Sequence, residues 1–171
     1  MEAVADGDLQ AFGELVRRYE ETAWRFAYRV LGDEAAAEDA AQEAFLKIFE
    51  AADRYEPTAS FRTYLYKVVK NHCLDRLDKN APLYTDHVPA VPEQETSPDR
   101  IVERRERRDE VQAALEELPE RQRSAVVLFH FEGLSYSDIA DAMETTTKAV
   151  ERLLARGRRA LERELGDFVE Q

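Results

Sequence analysis

Five cations share one side of the helix that the sequence predicts over Thr147–Leu165. At about 100° per residue they fall within one arc, opposite the apolar residues of the same helix, and no acid lies within that arc. Cations bind DNA phosphates, and arginine can also donate two hydrogen bonds to guanine. In a chain with 36 acids, a helix side that is merely solvated should carry both acidic and basic residues. The pattern therefore favours a DNA-reading helix. We call these cations the basic arc: Lys148, Arg152, Arg156, Arg159 and Arg163.

A second group of cations follows Ser60, which is a favourable N-cap. The outer face of the predicted helix combines cations with an aromatic ring and an amide. Cations hold phosphates, a ring stacks on a base and an amide reads a base edge, so this composition suits unpaired nucleic acid. A solvated face remains the alternative. We call this set the mixed basic face: Arg62, Thr63, Tyr66, Lys67, Lys70 and Asn71, with Phe61, Tyr64, Leu65, Val68 and Val69 on the inner side.

Acids line one side of a predicted helix over residues 38–52. On the opposite side, Ala41, Phe45, Ile48, Phe49 and Ala52 are expected to be buried. An exposed acidic surface with an apolar centre could dock a basic partner. Periodicity alone favours a solvated face with one exposed leucine. We call this set the acidic stripe: Asp39, Gln42, Glu43, Leu46 and Glu50.

Catalytic chemistry finds little support in the sequence. The three histidines, His72, His87 and His130, are scattered, and Cys73 is the single cysteine. The sequence contains no glycine-rich phosphate loop and no metal-ligand spacing. We therefore predict a binding protein that is not an enzyme and needs no metal or cofactor.

The basic arc, the mixed basic face and the acidic stripe all lie on predicted helices, and these helices fall into two groups along the chain. The chain has 171 residues, a net charge of −12 and no strand-like alternation of useful length. We predict an all-α protein with one helical domain over residues 1–80, a flexible linker over 81–100 and a second helical domain over 101–171. The proline-containing linker should let the domains move independently. An acidic amino terminus and the lack of a long apolar run predict a soluble, cytoplasmic chain without a signal peptide or membrane span.

The second domain has the pattern of a helix-turn-helix. A helix over residues 115–131, interrupted near Pro119, precedes a turn over 132–134. Ser135 and Asp138 then have the spacing of a capping box, and a short helix leads to the helix of the basic arc. This order places a recognition helix in the major groove of DNA.

The motifs of both domains resemble the sigma factor family, in particular its small extracytoplasmic-function group. The resemblance implies that Asp39, Gln42, Glu43 and Leu46 contact core RNA polymerase and that Lys148, Arg152, Arg156 and Arg159 read the −35 element of promoter DNA. It also implies that Phe61, Arg62, Tyr66, Lys67, Lys70 and Asn71 face the non-template strand at the −10 element, and that an anti-sigma protein is a candidate partner. The motifs are residues 37–45, 60–71, 118–123, 132–136 and 148–151.

Three residues depart from the usual family pattern. Tyr64 stands where Trp is frequent, Glu144 stands at a turn position where Gly is usual, and Glu151 stands where Lys is common. The alternative function is a sigma-like decoy, which keeps the fold but binds an anti-sigma protein without reading DNA. Net acidity favours the decoy slightly, whereas the basic arc counts against it.

Overall fold

The computed structural model describes the backbone of residues 1–79 and 98–166, and every regular element within these ranges is a helix. The predicted all-α class, with two helical domains, is confirmed. The helices are α1 (Glu2–Ala5), α2 (Leu9–Leu31), α3 (Glu34–Glu50), a 3₁₀ turn (Ala52–Arg54), α4 (Phe61–Lys79), α5 (Pro98–Glu116), α6 (Glu120–Val126), α7 (Tyr136–Ala142) and α8 (Thr147–Leu165).

Helices α2, α3 and α4 form the core of the first domain. The Asp8 carboxylate caps α2 by accepting a hydrogen bond from the backbone N–H of Gln10 at 2.9 Å. The helix ends at Gly32, whose φ of 74° is in the left-handed region that favours glycine. The acidic stripe and the mixed basic face lie on α3 and α4. Buried side chains between the three helices include Phe26, Val30, Ile48, Leu65 and Val69.

The second domain is the predicted helix-turn-helix preceded by two helices. Helix α5 ends at Glu116 and α6 begins at Glu120, so the interruption near Pro119 is confirmed. Helix α6 continues into a π-helical turn over Val127–Phe131. At Gly157 of α8, an added β-carbon would lie 2.6 Å from Cγ2 of Val126. The absent side chain therefore lets α8 pack closely on α6.

The two domains pack against each other, which differs from the expectation that they move independently. Arg123 of α6 is buried and donates hydrogen bonds to the carbonyl of Val30 in α2 and to those of Glu116 and Leu118. Its guanidinium thus satisfies carbonyls at the ends of two helices from different domains. The expectation came from the linker segment, which has no core-forming pattern, and periodicity within one helix carries no information about packing against a second domain.

The linker prediction falls largely outside the described residues. Helix α5 begins at Pro98, three residues inside the predicted 81–100 segment, whereas residues 80–97 and their predicted flexibility lie beyond what the structure describes. Among the described helices, none is long and apolar enough to cross a membrane.

Candidate nucleic-acid and polymerase interfaces

The basic arc lies on an open surface of α8. The helix has the bounds that the sequence predicts, and the Thr146 hydroxyl caps it by accepting a hydrogen bond from the N–H of Ala149 at 3.2 Å. Val150, Leu154 and Gly157 are buried on the opposite side of the helix, as predicted. The structure therefore places the five cations together on one solvent-exposed surface of α8. The exposed residues are Lys148, Arg152, Arg156, Arg159 and Arg163.

The turn between α7 and α8 keeps the left-handed backbone that the usual glycine would supply. Glu144 has a φ of 51°, the single positive value at a non-glycine residue among the described residues. The N–H of Thr145 donates to the carbonyl of Ala140 at 2.9 Å, which closes the end of α7. Glutamate at this φ is strained. The departure from the family pattern therefore leaves the helix-turn-helix geometry intact.

The Ser135 cap forms as predicted. Its hydroxyl accepts a hydrogen bond from the N–H of Asp138 at 3.1 Å and also contacts the Asp138 carboxylate. The Asp138 carboxylate thus accepts from the Ser135 hydroxyl, whereas the glutamate of a capping box accepts from the backbone N–H of the cap residue. Helix α7 packs directly on α4, because Thr63 of α4 donates a hydrogen bond to the Asp138 carboxylate at 3.4 Å. This contact places the helix-turn-helix over the mixed basic face.

The expectation of an exposed mixed basic face is wrong for three of its residues. Tyr66 is 0% exposed, Thr63 is 3% exposed and Lys70 is 5% exposed. Two causes contribute: the Tyr66 ring packs against Phe26 of α2, and the second domain lies over the polar ends of the side chains. Arg62 and Asn71 remain exposed, and Lys67 is partly exposed.

Phe61 is positioned by other aromatic rings. Its ring lies 4.9 Å from that of Tyr19 and 6.4 Å from that of Tyr64, centroid to centroid. The side chain is half-buried at the start of α4. Phe61 therefore sits beside the mixed basic face, with its ring only partly accessible. Ser60 caps this end of the helix as predicted, because its hydroxyl accepts a hydrogen bond from the N–H of Thr63 at 3.1 Å.

A buried carboxylate of the second domain enters the mixed basic face. The Glu132 side chain is 3% exposed and accepts a hydrogen bond from the Tyr66 hydroxyl. It also lies 3.4 Å from a guanidinium nitrogen of Arg29 and 3.6 Å from one of Arg62. Arg62 donates in addition to the Glu132 carbonyl. Burial and the neighbouring Glu132 raise the pKa of Tyr66, so the phenol keeps its proton and remains a donor.

Glu144 meets the other end of the same face. Its carboxylate lies 3.0 Å from the Lys67 ammonium, across the domain boundary. The hydrogen bond from Lys67 is the main cause of the lowered pKa of Glu144, and Lys70 and Asn71 contribute in the same direction. Burial lowers the pKa of Lys70, which Glu144 partly opposes. Two acids of the second domain thus lie against the three cations of the mixed basic face, Arg62, Lys67 and Lys70.

The acidic stripe is exposed on α3, as predicted. Leu46 is 60% exposed, and Asp39, Gln42 and Glu43 also face solvent. Asp39 pairs with Arg76 of α4 at 3.1 Å, so the stripe is braced from the neighbouring helix. The prediction for Phe49 is wrong: it is 37% exposed because its ring packs at the edge of the core, 4.9 Å from that of Phe12.

An apolar groove runs beside the stripe, and the sequence reasoning missed it. The groove has a volume of about 590 Å³, and Phe12, Val16 and Trp24 of α2 line it opposite Phe45 and Leu46 of α3. Its rim is acidic, with Glu20, Glu21 and Glu38. The one sequence feature that pointed to the groove was the apolar side of α2. Nothing in the sequence showed that part of that side would face a groove instead of the core.

Comparisons with known proteins match each of the two domains to a region of a known protein family. Residues 15–82 match Sigma-70 region 2 and residues 108–161 match Sigma-70, region 4. The ECF RNA polymerase sigma factor SigW of Bacillus subtilis is 31% identical over 96% of this chain and 94% of its own length. The ECF RNA polymerase sigma factor SigE of Mycolicibacterium smegmatis is 32% identical over 92% of this chain, which spans 63% of that relative's length.

A solved structure shares the fold. The sigma factor RpoE from Bartonella quintana, in complex with the anti-sigma factor NepR, has a TM-score of 0.74 and 21% identity, over 95% of this chain and 100% of the matched chain. The first matched region carries the acidic stripe and the mixed basic face, and the second carries the basic arc except Arg163. This chain belongs to the extracytoplasmic-function group of the sigma factor family.

Proposed function

We propose that three surfaces of this chain carry out its function as a sigma factor, which is to direct RNA polymerase to specific promoters and to assist promoter melting. The basic arc reads the −35 element, the mixed basic face engages the melted −10 strand, and the acidic stripe binds core polymerase. The observation that carries the proposal is the exposed, cation-only arc on the second helix of a helix-turn-helix. The chain belongs to a family of transcription regulators, and these surfaces bind macromolecules without a catalytic step.

For the −35 element, the geometry of α8 supports a recognition helix. Lys148 lies in the first turn, and Arg152 and Arg156 follow on the same exposed side. In the docking geometry of helix-turn-helix proteins, residues near the start of the second helix reach base edges. Phosphate contacts by the other cations fix the register of the helix on the duplex. We therefore assign base contacts to Lys148 and Arg152, and phosphate contacts to Arg156 and Arg159.

For polymerase, the acidic stripe and the apolar groove form one docking surface. The exposed Leu46 belongs to both, with Asp39, Gln42 and Glu43 on one side and the Trp24 wall on the other. An apolar centre with an acidic rim suits an amphipathic helix that carries basic residues. The clamp of core polymerase is the partner that the family resemblance implies. A partner of this kind would place the chain in the cytoplasm.

For the −10 element, the exposed members of the mixed basic face offer the required chemistry. Lys67 supplies a cation and Asn71 supplies an amide one turn later on α4. Tyr66 and Lys70 become available to a DNA strand only if the second domain moves away from them. An anti-sigma protein is a further candidate partner, since the Bartonella quintana sigma factor of the same fold is bound to one.

In vitro transcription with core polymerase on a library of genomic fragments tests the proposal. Wild-type holoenzyme should open a defined set of promoters, and Arg152→Ala together with Lys148→Ala should abolish that selection without lowering polymerase binding. A matched control is Arg18→Ala, which removes an exposed cation of α2 that pairs with Glu14 one turn away on the same helix. If wild-type holoenzyme opens no promoter while the chain binds an anti-sigma protein tightly, it functions as a decoy.

A further inference from the structure

We propose that Glu151 of α8 is a specificity-determining residue that reads a cytosine in the −35 element. The inference deepens the proposed −35 function and rests on it. The two residues to which we assign base contacts, Lys148 and Arg152, can only donate hydrogen bonds. Glu151 adds a group that can only accept them. The −35 element should therefore require a cytosine at one position in addition to the acceptor-rich bases that cations select.

Glu151 lies in the part of α8 that reaches base edges. The Thr146 cap fixes the start of the helix, so Glu151 falls in its second turn, between Lys148 and Arg152 in the sequence. All three of these charged side chains are exposed. In the docking geometry of helix-turn-helix proteins, the first residues of the second helix contact base edges. Glu151 is thus placed beside the bases by the same helix turns as the two cations.

The Glu151 carboxylate is free of ion pairs and hydrogen bonds to the residues that the structure describes. Elsewhere an exposed glutamate pairs with an arginine one turn later, as Glu14 does with Arg18 at 3.2 Å on α2. One turn after Glu151 lies the exposed Ala155, and one turn before it lies Thr147. Neither side chain can neutralise the carboxylate. Its full acceptor capacity is therefore available to an external donor.

A carboxylate discriminates among the four bases because it only accepts hydrogen bonds. In the major groove, cytosine presents its N4 amino donor, whereas guanine presents the N7 and O6 acceptors and thymine presents the O4 acceptor and a methyl group. Adenine has an N6 donor, but its N7 acceptor lies beside that donor and repels a carboxylate. Cytosine is therefore the base that fits Glu151. Lysine, which is common at this position in the family, would donate to guanine instead.

The neighbouring cations make a negative charge tolerable against DNA. Phosphates repel an isolated carboxylate, whereas Lys148 and Arg152 bring positive charge to both sides of Glu151 along the helix. The short side chain of Ala155 leaves space for a base to approach the carboxylate. A residue that only repelled phosphates would weaken binding to every sequence by the same factor. A base contact instead changes the preference at one position, and the two roles can be separated on that basis.

Selection of promoter fragments with a randomised −35 element by holoenzyme, followed by sequencing, tests the proposal. Wild type should enrich cytosine at one position. Glu151→Ala should lower that preference about five- to 150-fold and leave the position read by Arg152 unchanged. Glu151→Gln should shift the preference toward adenine, because an amide both donates and accepts, and Glu151→Lys should shift it to guanine. Since Glu151 is exposed, the melting temperature of these variants should stay nearly unchanged.

Glu162→Ala is the matched control. Glu162 is an exposed acid in the last turn of α8, so the substitution removes the same charge from the same helix, away from the turns that reach bases. It should strengthen binding to all sequences alike and leave every base preference unchanged. The same uniform gain in Glu151→Ala, without loss of a cytosine preference, would overturn the proposal. A cytosine preference that persists at full strength in Glu151→Gln would overturn it as well.

Failure of the proposed function gives a different result in the same selection. Wild-type holoenzyme would then enrich no −35 sequence, and Arg152→Ala would have no effect on the fragments selected. If a position that depends on Arg152 is found and none depends on Glu151, the −35 function stands and the assignment of Glu151 fails. The two failures are therefore distinguishable.

Discussion

The two basic surfaces of this chain carry charge of the same sign but differ in accessibility. The basic arc on α8 is exposed along its whole length, whereas Lys70 and Tyr66 of the mixed basic face are buried beneath the second domain. Two acids make the difference, because Glu132 and Glu144 both pair with α4 and neither pairs with α8. Accessibility of a cationic face is thus set by the acids that the rest of the chain can bring to it.

The difference between the two surfaces also affects how the net charge of −12 is interpreted. An acidic chain should bind free DNA poorly, but the bulk value does not reveal where the acids act. Here some acids form the exposed acidic stripe on α3, which is the proposed polymerase surface, and others lie over the mixed basic face. Under the proposed function the first group would bind polymerase, whereas Glu132 and Glu144 of the second group contact cations of α4. The predictions below separate these roles, from the largest expected effect to the smallest.

Glu43→Lys should abolish co-purification with core polymerase. Glu43 is exposed on the acidic stripe, and reversing its charge places a cation against a basic partner. Helicity and melting temperature should stay nearly unchanged because the residue is on the surface. Arg152→Ala, on the opposite functional surface, is the control and should bind polymerase normally. Undiminished polymerase binding by Glu43→Lys would contradict the assignment of the stripe.

Lys70→Ala combined with Asn71→Ala should impair promoter opening and spare closed-complex binding. Two lost contacts to the melted strand, at about 1–3 kcal/mol each, should lower the number of open complexes roughly 100-fold. Permanganate footprinting of holoenzyme on a promoter measures opening, and a gel shift measures the closed complex. Equal loss in both assays would show that these residues serve the duplex and not the single strand.

Arg152→Ala should cost about 1–3 kcal/mol at promoters and relax sequence preference at one −35 position, as expected for a base contact. Arg156→Ala should instead weaken all promoters alike and lower the salt slope by roughly one unit, as expected for a phosphate contact. Gel-shift titrations of holoenzyme at several salt concentrations separate the two. Reversed behaviour of the pair would exchange the roles of these arginines.

Local signals in the sequence were enough to predict most of the fold and the open surfaces. The bounds of α8 and the Ser135 cap follow from contacts within a few residues, and the exposure of Glu43 follows from its position opposite Phe45 on one helix. The burial of Tyr66 could not be predicted in the same way. It depends on the packing of its ring against Phe26 of α2, and on Glu132, which lies 66 residues later in the chain and belongs to the other domain. The apolar groove was missed for the same reason, because its walls come from two different helices.

The smallest effect concerns the turn itself and separates its geometry from its charge. Glu144→Gly and Glu144→Gln both remove the ion pair with Lys67, so both should equally increase the rate at which buried Lys70 is chemically acetylated, as measured by mass spectrometry. They should differ in stability, because only glycine relieves the strain of the 51° φ. After allowing for the greater flexibility of glycine in the unfolded chain, Glu144→Gly should be more stable than Glu144→Gln by about 0.5–1 kcal/mol. Urea denaturation of the two variants measures this difference. Equal stability would mean that the turn tolerates glutamate without strain, and unequal acetylation would mean that turn geometry, rather than the carboxylate, holds the second domain over the mixed basic face.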